Sequence, residues 1–191
     1  MLPADGFQPT LTKLVDVLDR FHVRFHLTGG LTSVVYGEPR MTQDVDLVLD
    51  HDQVLAVREE FLDALTSAGF YFSKALAREG IESRRMFQLL DLEQVIKLDL
   101  YVRCLIPGEL DRSVPTEVFP GVTLPLAART DAALSKLVWI HRGSHRSRRD
   151  LRWILAGATP DEVATVRQTA TDMNLLDLLD EVLGESDEVD A

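Results

Sequence analysis

The sequence predicts an α+β (mixed α/β) fold, with short strands gathered in the first two thirds and helices in the last third. Three observations carry this. A short apolar run, Val23–Thr28, ends at two glycines, Gly29 and Gly30, and a second, Asp44–Leu49, opens on Asp-Val-Asp. A third, Val95–Val102, alternates polar and apolar residues with the period of two that marks a half-buried strand. Beyond Thr130 the turn formers thin out and helical spacing takes over. The expected organisation is a core over residues 1–127 followed by a C-terminal helical region, 128–191, packed on it.

Taken in order, Leu11, Leu14, Val15 and Leu18 recur at helical spacing after Pro9 and Thr10, with Thr10 as the expected N-cap. The glycine-terminated strand follows, then two helical turns over LTSVVYG, stopped by Gly37 and Pro39. After the Asp-Val-Asp strand, His51–Ala68 reads as one helix with Val54, Val57, Phe61, Leu62 and Leu65 on its apolar face and Gly69 at its end. FYFSKAL fits either a strand or a loop edge. ESRRMFQLLD and EQVIKLDLYV read as a hairpin joined at Asp91–Glu93. The turn-rich stretch from Ile106 carries one expected strand, GVTLPL. Thr130 and Asp131 are expected to cap the next helix, Gly143 to break it, Pro160 to open a third and Asn174 a fourth.

The bulk composition narrows the function classes. The chain has 191 residues, 46% of them hydrophobic and 27% charged, enough for one compact domain with a real core. No apolar run reaches membrane-spanning length and the N-terminal residues lack a secretion signal, so the expected compartment is the cytoplasm, away from membranes. A single cysteine, Cys104, excludes an intramolecular disulfide framework. It reads as buried filler at a strand end. The net charge of −11 argues against general attraction to polyanions, yet Lys136, Arg142, Arg146, Arg148, Arg149 and Arg152 form a local basic strip. That strip is either a solvated surface balanced by the acidic C-terminal helices, or a docking surface for phosphates or an RNA backbone. Trp139 and Trp153, among leucines and isoleucines, read as core. The histidines show no metal-ligand spacing.

The chemistry concentrates in Phe25–Asp50. On an extended strand Asp44 and Asp46 point to the same face, while Val45, Leu47 and Leu49 point inward. Two like charges so placed repel unless a cation lies between them. Asp99 falls on the polar face of its own strand, with Val95, Lys97 and Tyr101. Gly29 and Gly30 would let phosphates approach the backbone, and the amides opening the next helix would face the anion.

The sequence TGGLTS followed by DVDLVLD, with the later IKLDLYV, resembles the nucleotidyltransferase fold superfamily (DNA polymerase beta-like), whose signature is a Gly-Gly/Ser turn and then Asp-x-Asp. Pro39, Arg40, Thr42, Asp44, Asp46 and Leu47 resemble the tighter pattern of a small prokaryotic branch that includes the abortive-infection (AbiEii-type) toxins. Lys136 and Arg149-Asp150-Leu151 match two later elements of that branch. The resemblance implies a nucleotidyltransferase core with a mixed, mainly antiparallel sheet flanked by helices. It implies an enzyme that transfers an NMP from an NTP such as ATP to an acceptor hydroxyl, using Mg²⁺ or Mn²⁺. Asp44 and Asp46 would hold the nucleotide-bound ion, and Asp46 with Asp99 the second. Asp99 would also help to deprotonate the acceptor. Thr28, Gly29, Gly30 and Ser33 would seat the triphosphate, with Lys136 supplying a point charge and Asp150 a supporting contact. Arg40 is either a phosphate contact or a partner that orients Asp44. The implied acceptor is a tRNA 3′ end, and the implied partner a cognate antitoxin protein. A small hydroxylated acceptor, as in aminoglycoside-modifying relatives, and a catalytically silent nucleotide- or protein-binding member remain the alternatives.

Overall fold

A computed structural model describes residues 4–37 and 44–185. The chain runs α1 (Ala4–Arg20), β1 (Phe25–Thr28), α2 (Gly30–Tyr36), β2 (Asp44–Leu49), α3 (His51–Ala56), α4 (Arg58–Ser67), β3 (Phe70–Tyr71) and α5 (Lys74–Glu82). It continues through β4 (Met86–Asp91), β5 (Ile96–Tyr101), a 3₁₀ turn (Glu109–Arg112), β6 (Val114–Phe119) and β7 (Val122–Leu126). Four helices follow: α6 (Arg129–His141), α7 (Arg146–Ala156), α8 (Pro160–Asp172) and α9 (Leu176–Leu183). The described strands form one seven-stranded sheet in the order β3-β4-β5-β2-β1-β7-β6. β1 pairs antiparallel with β2 and parallel with β7, and β2 pairs parallel with β5. The other pairings are antiparallel. The mixed, mainly antiparallel α+β architecture is therefore the one the sequence predicts.

Two compact units make up the chain. One comprises Met1–Leu31 and Met41–Ala127, the other Thr32–Arg40 and Ala128–Ala191. In the first, Val45, Leu47 and Leu49 of β2 and Leu98 and Leu100 of β5 are fully buried on one sheet face. Leu11, Leu14 and Leu18 of α1 and Phe61, Leu62 and Leu65 of α4 are buried with them. That set of apolar contacts leaves the opposite face of β2 and β5 for polar side chains.

In the second unit, Arg129 explains why most of α2 belongs with the C-terminal helices. Its guanidinium donates to the carbonyls of Tyr36 and Ile154, each at 3.0 Å, and lies 4.8 Å from the Tyr36 ring. A Cβ on Gly37 would stand 2.9 Å from the Ser33 carbonyl oxygen and 3.3 Å from Trp153 Cβ, so only glycine allows this approach.

Several local expectations are corrected. Thr10 is not an N-cap: α1 starts before it, and its buried hydroxyl donates to Asp91 Oδ2 at 2.7 Å. The expected helix over 51–68 is two helices, broken where Val57 leaves helical geometry, and Asp50 caps the first. The ambiguous stretch after Phe70 is a two-residue strand followed by α5, capped by Ser73, so ESRR ends a helix instead of opening a strand. β6 was missed because its Pro115 and polar alternation look like loop. Thr130 and Asp131 lie inside α6, whose N-cap is Ala128, and Asp131 is buried. Cys104 is exposed. Trp139 and Trp153 are each 38% exposed, surface positions instead of core.

Candidate active site

The strand register decides which side chains meet. Asp44 stands beside Lys97 and Asp46 beside Asp99 in the parallel β2–β5 pair. Thr28 of β1 stands beside Asp46, and Gln88 of β4 beside Asp99. Directly paired residues share a face, so Thr28, Asp46, Asp99 and Gln88 form one polar row across four strands. Asp44 and Lys97 begin the adjacent row. The three predicted carboxylates are therefore on one sheet face, on neighbouring strands.

Each carboxylate has a distinct environment. Asp99 is 6% exposed; its Oδ1 accepts from Gln88 Nε2 at 3.0 Å and its Oδ2 from Lys97 Nζ at 2.9 Å. The same ammonium lies 3.4 Å from Asp44 Oδ2. The hydrogen bond from Lys97 to Asp99 is the main reason its ammonium is held above the ordinary lysine range. Asp46 takes a hydrogen bond from Tyr101, whose phenol is pushed well above its usual range by burial and then by the Asp46 and Asp99 charges. The phenol thus stays a protonated donor. A Cβ on Gly29, which has φ +66°, would fall 1.9 Å from Asp46 Oδ2. Only a residue without a side chain lets Asp46 occupy this position.

Thr28 is buried at the end of β1, and Gly30 begins α2. Ser33, one turn into α2, is 1% exposed, and its hydroxyl has no hydrogen-bond partner among the described residues. In the helical unit Lys136 of α6 donates to Asp150 of α7 at 2.8 Å, and both are buried. Arg40, with the Pro39 and Thr42 positions of the motif, lies outside the described residues.

The sequence puts Lys97 and Tyr101 on the polar face with Asp99 but assigns neither a role, and it does not place Gln88. All three occupy polar-face positions, and Lys97 precedes Asp99 by two residues, a spacing that could have exposed it. Gln88 could be placed only with the β4–β5 register. The basic strip resolves toward its structural reading at two positions: Arg148 pairs with Glu181 and Glu185, and Arg152 with Glu185. Arg142 lies over the Trp139 ring.

Among the described residues, no three carboxylate, imidazole or thiol groups are gathered to hold a metal as they stand. The donor set nevertheless fits a hard divalent cation. All three groups are carboxylates, and the space between Asp44 and Asp99 already draws in a positive charge, the Lys97 ammonium.

A family profile described as "Nucleotidyl transferase AbiEii toxin, Type IV TA system" matches residues 13–184. No curated protein matches the chain in sequence. Among solved structures, the antibiotic-resistance factor ANT(2'')-Ia in solution is similar at TM-score 0.59 and 12% identity, over 93% of this chain and 97% of that one. The crystal structure of ANT(2'')-Ia with adenylyl-2''-tobramycin is similar at TM-score 0.58 and 11% identity, over 88% and 99%. An antigenic nucleotidyltransferase-like protein from Paracoccidioides brasiliensis is similar at TM-score 0.53 and 18% identity, over 95% and 94%. At these identities the likeness speaks to the fold.

Proposed function

The chain belongs to the AbiEii nucleotidyltransferase family, and from that premise we propose that it moves an NMP from an NTP to an acceptor hydroxyl, releasing pyrophosphate, with Asp44, Asp46 and Asp99 as the catalytic carboxylates. The observation that carries this reading is the register that sets Asp46 beside Asp99, with Gly29 bare beneath Asp46. These three carboxylates would hold Mg²⁺ or Mn²⁺, which when bound would supply Lewis-acid charge for the triphosphate and the pyrophosphate that leaves.

The chain's own residues do the rest. Asp99 accepts the proton of the acceptor hydroxyl, with Gln88 fixing the orientation of its carboxylate. Tyr101 orients Asp46 by donating a hydrogen bond to its carboxylate. The backbone at Gly29 and Gly30, with the Thr28 and Ser33 hydroxyls, seats the phosphates. Lys136 adds positive charge for the triphosphate, and Asp150 holds its ammonium. Arg40 is assigned to phosphate contact or to orientation of Asp44.

We assign a tRNA 3′ end as the acceptor and a cognate antitoxin as the protein partner, in keeping with the type IV system that the family description names. Both belong to the cytoplasm, and no described helix is long and apolar enough to cross a membrane. A small hydroxylated acceptor is the second reading. It is favoured by a groove of about 680 Å³ that Tyr71, Leu76, Met86 and Leu90 line beside Gln88 and Lys97. Mass spectrometry of total tRNA after incubation with each of the four NTPs tests the first reading. A mass increment of one or more nucleotides at the 3′ end supports it. Unmodified tRNA, alongside adenylylation of a small hydroxylated compound, replaces it with the second.

A further inference from the structure

The acidic row is held together by a cation that the chain itself supplies. Asp44, Lys97, Asp46 and Asp99 occupy the four corners of two adjacent rows in the β2–β5 pair, three negative charges and one positive. Directly opposed like charges, such as Asp46 and Asp99, destabilise a sheet unless something neutralises them. Lys97 does so from within: its ammonium sits 2.9 Å from Asp99 Oδ2 and 3.4 Å from Asp44 Oδ2. With Gln88 on Oδ1, both oxygens of Asp99 are already engaged. A metal ion bound by Asp99 competes with the Lys97 ammonium for the same carboxylate charge.

From this we propose that Lys97 is a placeholder cation. It keeps the carboxylates assembled in the metal-free enzyme, and a divalent cation binds by displacing its ammonium from Asp99 and Asp44. The inference rests on the metal-dependent reading above. Lysine suits this exchange because its charge is a compact ammonium on a flexible four-carbon stem. The side chain is 41% exposed, so the displaced head has water to move into, and it also lines the groove beside Gln88. Lys97 is thus a positioning residue that acts through the carboxylates.

Two consequences distinguish this role from simple charge balance. Removing the ammonium must tighten metal binding, because the competitor is gone, and must destabilise the metal-free protein, because the carboxylates lose their counter-charge. The test is Mn²⁺ affinity, read by electron paramagnetic resonance of the free ion, together with thermal melting in EDTA, for the wild type and for Lys97→Met, Lys97→Gln, Lys97→Arg and Asp99→Asn. The expected result is Mn²⁺ binding about tenfold or more tighter in Lys97→Met and Lys97→Gln, with a lower melting temperature in EDTA that Mn²⁺ restores. Lys97→Arg should stay within about threefold of the wild type. Unchanged or weaker Mn²⁺ binding in both neutral variants overturns the proposal while leaving the metal site standing, provided that Asp99→Asn still abolishes binding. If neither the wild type nor the neutral variants bind Mn²⁺, the metal assignment itself falls, and the placeholder role with it.

Discussion

Replacing Gly29 by alanine should damage the site more than any other single methyl group added to the sheet unit. Two costs add. Gly29 has φ +66°, a conformation that costs a residue with a side chain roughly 1–2 kcal/mol. The new methyl would also lie 1.9 Å from Asp46 Oδ2 and 2.5 Å from Asp46 Cγ, so the carboxylate must move. Overpacking of this kind costs about 1–3 kcal/mol. Gly121→Ala isolates the first cost, because Gly121 has φ +74° and nothing within 4 Å of its added Cβ. Urea denaturation should show Gly121→Ala destabilised by roughly 1–2 kcal/mol with full activity. Gly29→Ala should lose about 1–3 kcal/mol beyond that. Its rate of label transfer from NTP to RNA should fall on the order of 100-fold, the scale of a 1 Å misplacement of a reacting group. If Gly29→Ala is no less stable than Gly121→Ala and keeps activity within threefold, then Gly29 does not shape the position of Asp46.

Three further outcomes follow from the buried polar contacts. Asp91 is fully buried; burial alone would raise its carboxyl, but Lys13 and Thr10 hold it below the ordinary value of 3.8. A depressed folded-state value stabilises the protein above the unfolded value, and that contribution is lost as pH falls through the folded one. Asp91→Asn should therefore cost roughly 1–3 kcal/mol at pH 7 and progressively less below pH 4, read by denaturant titration across pH. Breaking the buried Lys136–Asp150 pair from one side leaves a charge without its partner, so Asp150→Ala should cost about 3–5 kcal/mol. The Lys136→Met, Asp150→Leu double variant should melt higher than Asp150→Ala; a lower melting temperature contradicts this. Tyr101→Phe should fold normally and lose about tenfold in kcat/KM, because a hydrogen bond to a charged group contributes about 1.5–3 kcal/mol.

The sequence made the carboxylates legible because a strand's period of two is rigid: Asp44, Asp46 and Asp99 could be assigned to polar faces without knowing the sheet. What it could not supply was register. Whether Asp99 stands beside Asp44 or Asp46 depends on a pairing between strands some fifty residues apart, and which β4 residue flanks it depends on the register of the β4–β5 hairpin. Gln88 was invisible for that reason, and Lys97 and Tyr101 passed as ordinary polar-face residues. Helix ends failed differently. Thr10 has the chemistry of an N-cap, but the buried carboxylate of Asp91 offered its hydroxyl a partner 81 positions away. Val57 carries no breaker signal, yet the helix stops there. The basic strip shows the same limit, since its neutralising glutamates, Glu181 in α9 and Glu185 just past its end, are more than thirty residues away in sequence.

The most direct test of the catalytic assignment is transfer of label from α-labelled NTP to total tRNA by the wild type, Asp46→Asn and Asp99→Asn, each first shown by circular dichroism and melting to be folded. That assignment requires label on RNA with the wild type in Mg²⁺, none in EDTA, and background levels with either asparagine variant. Wild-type levels of transfer by Asp99→Asn would contradict it.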